Sequence, residues 1–115
     1  MAFQGSCHCG AVKFTVDADL PKEAMSCNCS ICRRKGVLMG FFPAAKVKVE
    51  GEGNLQAYQF NKHRLSHWFC KTCGIHPFGG GIGPDGKEMR AVNLRCVPAA
   101  DLDSLTIQKF DGASR

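Results

Sequence analysis

Apolar and polar residues alternate in short stretches along this chain, and they rarely fall at helical spacing. Ala11-Val12-Lys13-Phe14-Thr15-Val16 sets Val12, Phe14 and Val16 on one face of a strand. Lys46-Val47-Lys48-Val49 alternates in the same way, and residues 37–42 form an apolar run. Residues 55–60 and 65–69 predict a strand pair joined through the basic turn Asn61-Lys62-His63-Arg64. Residues 89–97 and 105–110 predict two more strands, with Cys96 on the apolar phase of Val92 and Leu94. Helical turns are predicted only at 29–35 and at 99–104, the second following Pro98. The glycine-rich stretch 78–86 predicts a loop. It lacks the Gly-Lys-Ser/Thr ending of a phosphate loop, and no helix follows it. The expectation is a mainly β fold of short antiparallel strands with at most short helical turns, in a single domain over residues 1–115.

Composition adds two exclusions. No apolar run approaches the ~20 residues that cross a bilayer, so a membrane partner is not expected. Met1-Ala2-Phe3-Gln4-Gly5-Ser6 has neither the basic nor the apolar region of a secretory signal, which points to a reducing, cytoplasmic setting. The formal charge of +5 suggests an acidic partner until the cysteines are considered. There are eight, seven of them in three tight clusters: Cys7/Cys9, Cys27/Cys29/Cys32 and Cys70/Cys73, with Cys96 alone. Disulfides across one or two residues are strained, whereas two thiolates so spaced can meet one ion at ~2.3 Å. Gly10 and Gly74 directly follow a cysteine pair and supply the positive φ such a turn needs. Seven thiolates and two Zn²⁺ would bring the net charge down to about +2, so much of the basic excess balances sulfur.

Tetrahedral zinc takes four ligands in a structural site. The economical partition joins Cys7, Cys9, Cys70 and Cys73 around one zinc. It leaves Cys27, Cys29 and Cys32 with three ligands for a second. The fourth place there is either exchangeable, as in a catalytic metal, or filled by Cys96, His67 or His76. A three-thiolate site should also hold its metal less firmly, so partial occupancy is expected.

Gly5-Ser6-Cys7-His8-Cys9-Gly10-Ala11-Val12, then Cys27-Asn28-Cys29-Ser30-Ile31-Cys32-Arg33-Arg34, then Phe69-Cys70-Lys71-Thr72-Cys73-Gly74 resemble the glutathione-dependent formaldehyde-activating enzyme family, which includes centromere protein V. The resemblance spans nearly the whole chain. It implies a β-rich zinc scaffold described as a β-tent. It also implies a structural zinc on Cys7, Cys9, Cys70 and Cys73, and a catalytic zinc on Cys27, Cys29 and Cys32. The implied reaction is reversible addition of glutathione to formaldehyde, a carbon–sulfur lyase chemistry with a small thiol and a small aldehyde as partners. Asn28 stands where relatives often carry His, which removes one candidate proton carrier.

Arg33 and Arg34, with Lys35, follow the triplet and are candidates to hold the carboxylates of the thiol; balance for the thiolate charge is the competing role. His67 and His76 are candidate acid–base or orienting groups, and His8 reads as an exposed turn residue. Trp68 and Phe69 read as core. Two non-enzymatic alternatives stand beside the enzyme. A zinc-stabilised module would bind protein or nucleic acid. Nucleic acid is disfavoured because the basic clusters at 33–35 and 62–64 are short and lack interleaved aromatics. A purely structural protein would close both zinc sites with protein ligands. The sequence carries no signal of oligomeric state.

Overall fold

A computed structural model describes residues 2–59, 65–83 and 85–114. It is mainly β. Ten strands run β1 Phe3–Ser6, β2 Lys13–Val16, β3 Glu23–Cys27, β4 Met39–Pro43, β5 Val47–Glu50, β6 Leu55–Tyr58, β7 Ser66–Cys70, β8 Phe78–Ile82, β9 Glu88–Asn93 and β10 Thr106–Phe110. One short helix, α1 Ser30–Lys35, follows β3, and single 3-10 turns fill several connections. A three-stranded sheet has the order β1-β2-β5, and a seven-stranded sheet has the order β10-β3-β4-β9-β8-β7-β6. All pairings are antiparallel except β10 with β3, which is parallel with Phe110 opposite Cys27.

The alternation in 11–16 folds as expected, with Val12, Phe14 and Val16 buried. Phe14 and Val16 join Phe3, Phe42, Phe78, Val92 and Leu94 in the main core between the sheets. Val12 turns instead to Cys7 and Cys70, a small second core under the first cysteine pair. The β6–β7 pair exists in the register Leu55 opposite Cys70. The turn 61–64 expected to join it lies outside the described residues.

Three expectations change. The stretch 78–86 is not all loop: Phe78–Ile82 is an interior strand between β7 and β9, and the turn is confined to the residues after it. Gly79 and Gly80 serve packing rather than turning. A Cβ on Gly80 would sit 2.7 Å from the Trp68 ring and 2.9 Å from the Arg90 guanidinium, and one on Gly79 would sit 3.0 Å from the Ser66 carbonyl. The strand expected over 89–97 stops at Asn93, whose side-chain oxygen accepts the Arg95 N–H at 3.1 Å and starts a 3-10 turn through Cys96. Strands β1 and β3 form from short stretches with no clear alternation.

Helix α1 occupies the first predicted helical turn. It ends at Gly36, whose φ of +67° and N–H bond to the Cys32 carbonyl make a left-handed cap. The second predicted turn shortens to a 3-10 turn at Leu102–Ser104. Among the described residues no helix is long and apolar enough to cross a membrane.

Candidate metal centres

The sulfurs of Cys7, Cys9, Cys70 and Cys73 lie within 4.8 Å of one another. Cys7 to Cys9 is 3.7 Å and Cys9 to Cys70 is 3.6 Å. Four sulfurs around zinc at ~2.3 Å would stand about 3.8 Å apart, so this donor set fits the ion. The local fold explains the convergence. Gly10 at φ +83° and Gly74 at φ +80° turn the chain after each pair. The Cys7 N–H bonds to the Val12 carbonyl, and the Gly74 N–H to the Cys70 carbonyl.

The sulfurs are also solvated by donors. The Val12 N–H reaches Cys7 Sγ at 3.4 Å, and the Asn54 side-chain N–H reaches Cys70 Sγ at 3.1 Å. The backbone N–H groups of Cys73 and Thr72 help bring the Cys70 thiol down to about 6. At Cys9 the Ala11 N–H acts the same way, but desolvation and the neighbouring sulfurs outweigh it and raise that thiol to about 11. Four sulfurs this close cannot all ionise side by side. A divalent cation held among them would let them.

The second cluster unites Cys27, Cys29 and Cys32, again within 4.8 Å. Cys27 ends β3, Cys29 is the N-cap of α1, and Cys32 sits in its first turn. At Cys29, N–H groups of Cys32 and Ile31 and the neighbouring sulfurs overcome burial and lower the thiol. At Cys32, burial and then Cys29 push it up. Among the described residues no fourth Cys, His, Asp or Glu atom joins this cluster. Cys96 stands elsewhere. Its Sγ lies 3.7 Å from the His76 carbonyl and 3.6 Å from the Asn93 amide, and burial raises it to about 11.

Beside the triplet opens a groove of about 1080 Å³, lined by all three of its cysteines, by Lys35, His67 and His76, and by apolar side chains from β3, β4, β9 and β10. Lys35 follows Cys32 by three residues, so both project from one face of α1. The Lys35 ammonium lies 3.0 Å from His76 Nδ1. An ammonium only donates, so Nδ1 accepts and the ring proton sits on Nε2. Burial, then the charge of Lys35, hold His76 down at about 3. It is therefore a neutral imidazole at every physiological pH. Partial burial also lowers Lys35, while Cys32 opposes the shift. Burial and Lys35 lower His67, whose ring centre is 6.2 Å from that of His76.

Arg33 and Arg34 lie on the exposed side of α1, outside the groove lining, and the Arg34 guanidinium bonds to the Ser30 carbonyl at 2.8 Å. Lys35 is the member of that basic run that faces the groove.

The chain segment 110–114 also reaches the triplet. The Asn28 amide donates to Asp111 at 3.0 Å, and its oxygen accepts the Ala113 N–H at 2.9 Å. A Cβ on Gly112 would meet Cys27 Sγ at 2.6 Å. Nothing local in the sequence announces this clasp. It depends on β10 pairing beside β3.

The sequence profile of the glutathione-dependent formaldehyde-activating enzyme matches residues 2–107. The chain belongs to that family. A Halomonas elongata protein with the provisional name glutathione-dependent formaldehyde-activating enzyme is 31% identical over 107 aligned positions, which cover 74% of this chain and 68% of its own length. A crystal structure of a Rhodobacter sphaeroides protein superposes with a TM-score of 0.80 at 32% identity, over 93% of this chain and 99% of that one. This family member thus shares its fold with a protein solved experimentally.

Proposed function

We propose that this protein is a zinc enzyme that makes and breaks carbon–sulfur bonds between a small thiol, such as glutathione, and formaldehyde or another small aldehyde. Two zinc ions would bind per chain, within the single domain 1–115. Cys7, Cys9, Cys70 and Cys73 hold one as a fold staple. Cys27, Cys29 and Cys32 hold the other with a place left for the substrate. The observation that carries the reading is the three-sulfur cluster with no fourth ligand atom among the described residues, facing a groove.

Zinc in that cluster supplies one thing: it keeps an incoming thiol deprotonated at neutral pH. Three thiolates already offset its charge, so strong carbonyl polarisation is not asked of it. The remaining work falls to the chain. The groove walls hold the aldehyde carbon near the sulfur, which turns an encounter between two solutes into a contact. As the C–S bond forms, the C=O π pair moves onto oxygen. Lys35 donates a proton to that oxygen, and the neutral His76 ring holds the ammonium in place through its Nδ1. In the reverse direction the hydroxyl returns the proton to Lys35 and the C–S bond breaks. The donors in the groove are Lys35, His67 and His76 rather than the exposed Arg33 and Arg34. A cytoplasmic setting, where thiols stay reduced, suits this chemistry.

Exchange NMR of formaldehyde with glutathione tests the reading. Zinc-loaded protein should speed the exchange in proportion to its concentration. Cys32→Ser should abolish the effect, and Lys35→Met should cut it by about 10²–10⁴. No acceleration with both zincs bound would refute it.

A further inference from the structure

Helix α1 has little of its own to hold it in place. It is six residues long and none of them is fully buried. A helix this short is marginal in water without outside support. Lys35 is its last residue, so the placing of the ammonium depends on what holds the chain at either end. Strand β3 leads into the helix. Beyond it, one short turn takes hold. The Leu94 N–H bonds to the Leu38 carbonyl at 2.7 Å, and Arg95 Nε donates to the Gly36 carbonyl at 2.9 Å.

The same turn holds the other partner of the Lys35 contact. Three successive carbonyls around His76 are fixed from outside their own segment. The Cys70 N–H bonds to the Ile75 carbonyl at 2.9 Å. Asn93 takes the next two: its side-chain amide donates to the His76 carbonyl at 3.0 Å, and its backbone N–H to the Pro77 carbonyl at 2.9 Å. Asn93 is only 7% exposed, so water does not readily replace a bond lost there. Its Oδ1 accepts the Arg95 N–H at 3.1 Å, which ties the two halves of the turn together.

Residues 93–95 therefore reach the chain beside Lys35 on one side and His76 on the other. Lys35 and His76 are 41 positions apart in sequence, yet their polar atoms meet at 3.0 Å. Neither Asn93 nor Arg95 lines the groove.

We propose that Asn93 and Arg95 are positioning residues that together set the contact between the Lys35 ammonium and His76 Nδ1. This rests on the reading of Lys35 as the proton donor to the aldehyde oxygen, and adds the residues that place it. Asn93 fixes the backbone that carries the imidazole. Arg95 fixes the end of the helix that carries the ammonium.

The test uses the zinc-loaded full chain in three variants. Asn93→Asp keeps an oxygen for the Arg95 N–H and removes the donor to the His76 carbonyl. Arg95→Met, at an exposed position, removes the bond to the Gly36 carbonyl and keeps a long apolar stem, so it remains informative if the buried Asp does not fold. Arg95→Lys restores a donor. The first readout is the ring nitrogens of ¹⁵N-labelled histidine, with the His76 signals assigned by their loss in His76→Gln. In the wild type the Nδ1 resonance should lie upfield, as for an acceptor nitrogen bonded to an ammonium. It should move downfield in Asn93→Asp and Arg95→Met and return in Arg95→Lys. The second readout is exchange NMR of formaldehyde with glutathione. The maximal rate should fall roughly 10–100-fold in the first two variants, with the half-saturating glutathione concentration within about twofold of wild type. On the residual rate of Lys35→Met, the same changes should cost less than about twofold more, because they act through Lys35.

An Nδ1 resonance unmoved in both Asn93→Asp and Arg95→Met overturns the proposal. So does a rate loss as large in the Lys35→Met background as in the wild type, which would report a general loosening of the fold. A resonance that moves as expected, in a protein that speeds no exchange, upholds the positioning role and removes the reading of the site as an enzyme. A resonance that moves while the variants keep their full rate upholds the positioning role and removes Lys35 as the proton donor.

Discussion

Gly112→Ala puts a single methyl group against the triplet. The new Cβ would sit 2.6 Å from Cys27 Sγ and 3.2 Å from Cys29 Cβ, against the ~3.5–4.0 Å of ordinary contact. Something must move by about 1 Å. If the sulfur yields, it leaves the narrow range, about ±0.2 Å, that a zinc bond tolerates. If the segment 110–114 yields, the bonds from Asn28 to Asp111 and from Ala113 to Asn28 are lost. Overpacking of this kind costs about 1–3 kcal/mol. Most of that falls on the triplet, so zinc there should bind roughly 5- to 150-fold more weakly. The four-sulfur cluster is untouched. Competition with a chromophoric chelator reads the two zincs as separate steps, and only the weaker step should move. Gly53→Ala is the control, since a Cβ there meets nothing within 4 Å. If the weaker step moves less than twofold in Gly112→Ala, the 110–114 segment does not buttress the metal and the reasoning fails.

Three further outcomes are expected. Asn54→Leu removes the N–H that reaches Cys70 Sγ at 3.1 Å, and should weaken the tighter zinc by about 10–100-fold in the same competition while sparing the other. Gly51→Ala places a Cβ 1.9 Å from the Ala11 carbonyl at a φ of +85°, and should cost at least about 2 kcal/mol in urea unfolding; a loss below about 0.5 kcal/mol would show that this corner relaxes freely. The His76 imidazole has a folded value near 3 against 6.5 for the free group, so below pH 6.5 the unfolded chain takes up a proton that the fold refuses, and stability drops as pH falls. Between pH 7.5 and 5.0 the zinc-loaded wild type should therefore lose about 2 kcal/mol more than His76→Gln, and equal losses would mean that His76 is not held neutral.

The cysteine clusters could be read from the sequence because their convergence is local: Cys7 and Cys9, or Cys70 and Cys73, need only a glycine turn to meet. Strand β2 was legible for the same reason, since Val12, Phe14 and Val16 carry their burial in their spacing. Gly79–Gly81 was not. Glycine is a poor strand former, and what calls for it is the Ser66 carbonyl at Gly79 and the Trp68 ring and Arg90 guanidinium at Gly80, all on neighbouring strands. The groove escaped notice because its walls come from segments far apart in sequence. In the basic run after the triplet, helical phase picks out Lys35 over Arg33 and Arg34, and that phase is fixed only once Cys29 caps α1.

The parallel pairing of β10 with β3 sets an order in time. Asn28 and Asp111 meet across 83 positions, so the clasp on the triplet waits for a distant strand. On the ribosome, at about 5–20 residues per second, Cys73 emerges seconds before β10 does. The four-sulfur cluster can therefore assemble first. The three-sulfur cluster is completed last, when most of the sheet that walls its groove has already been made.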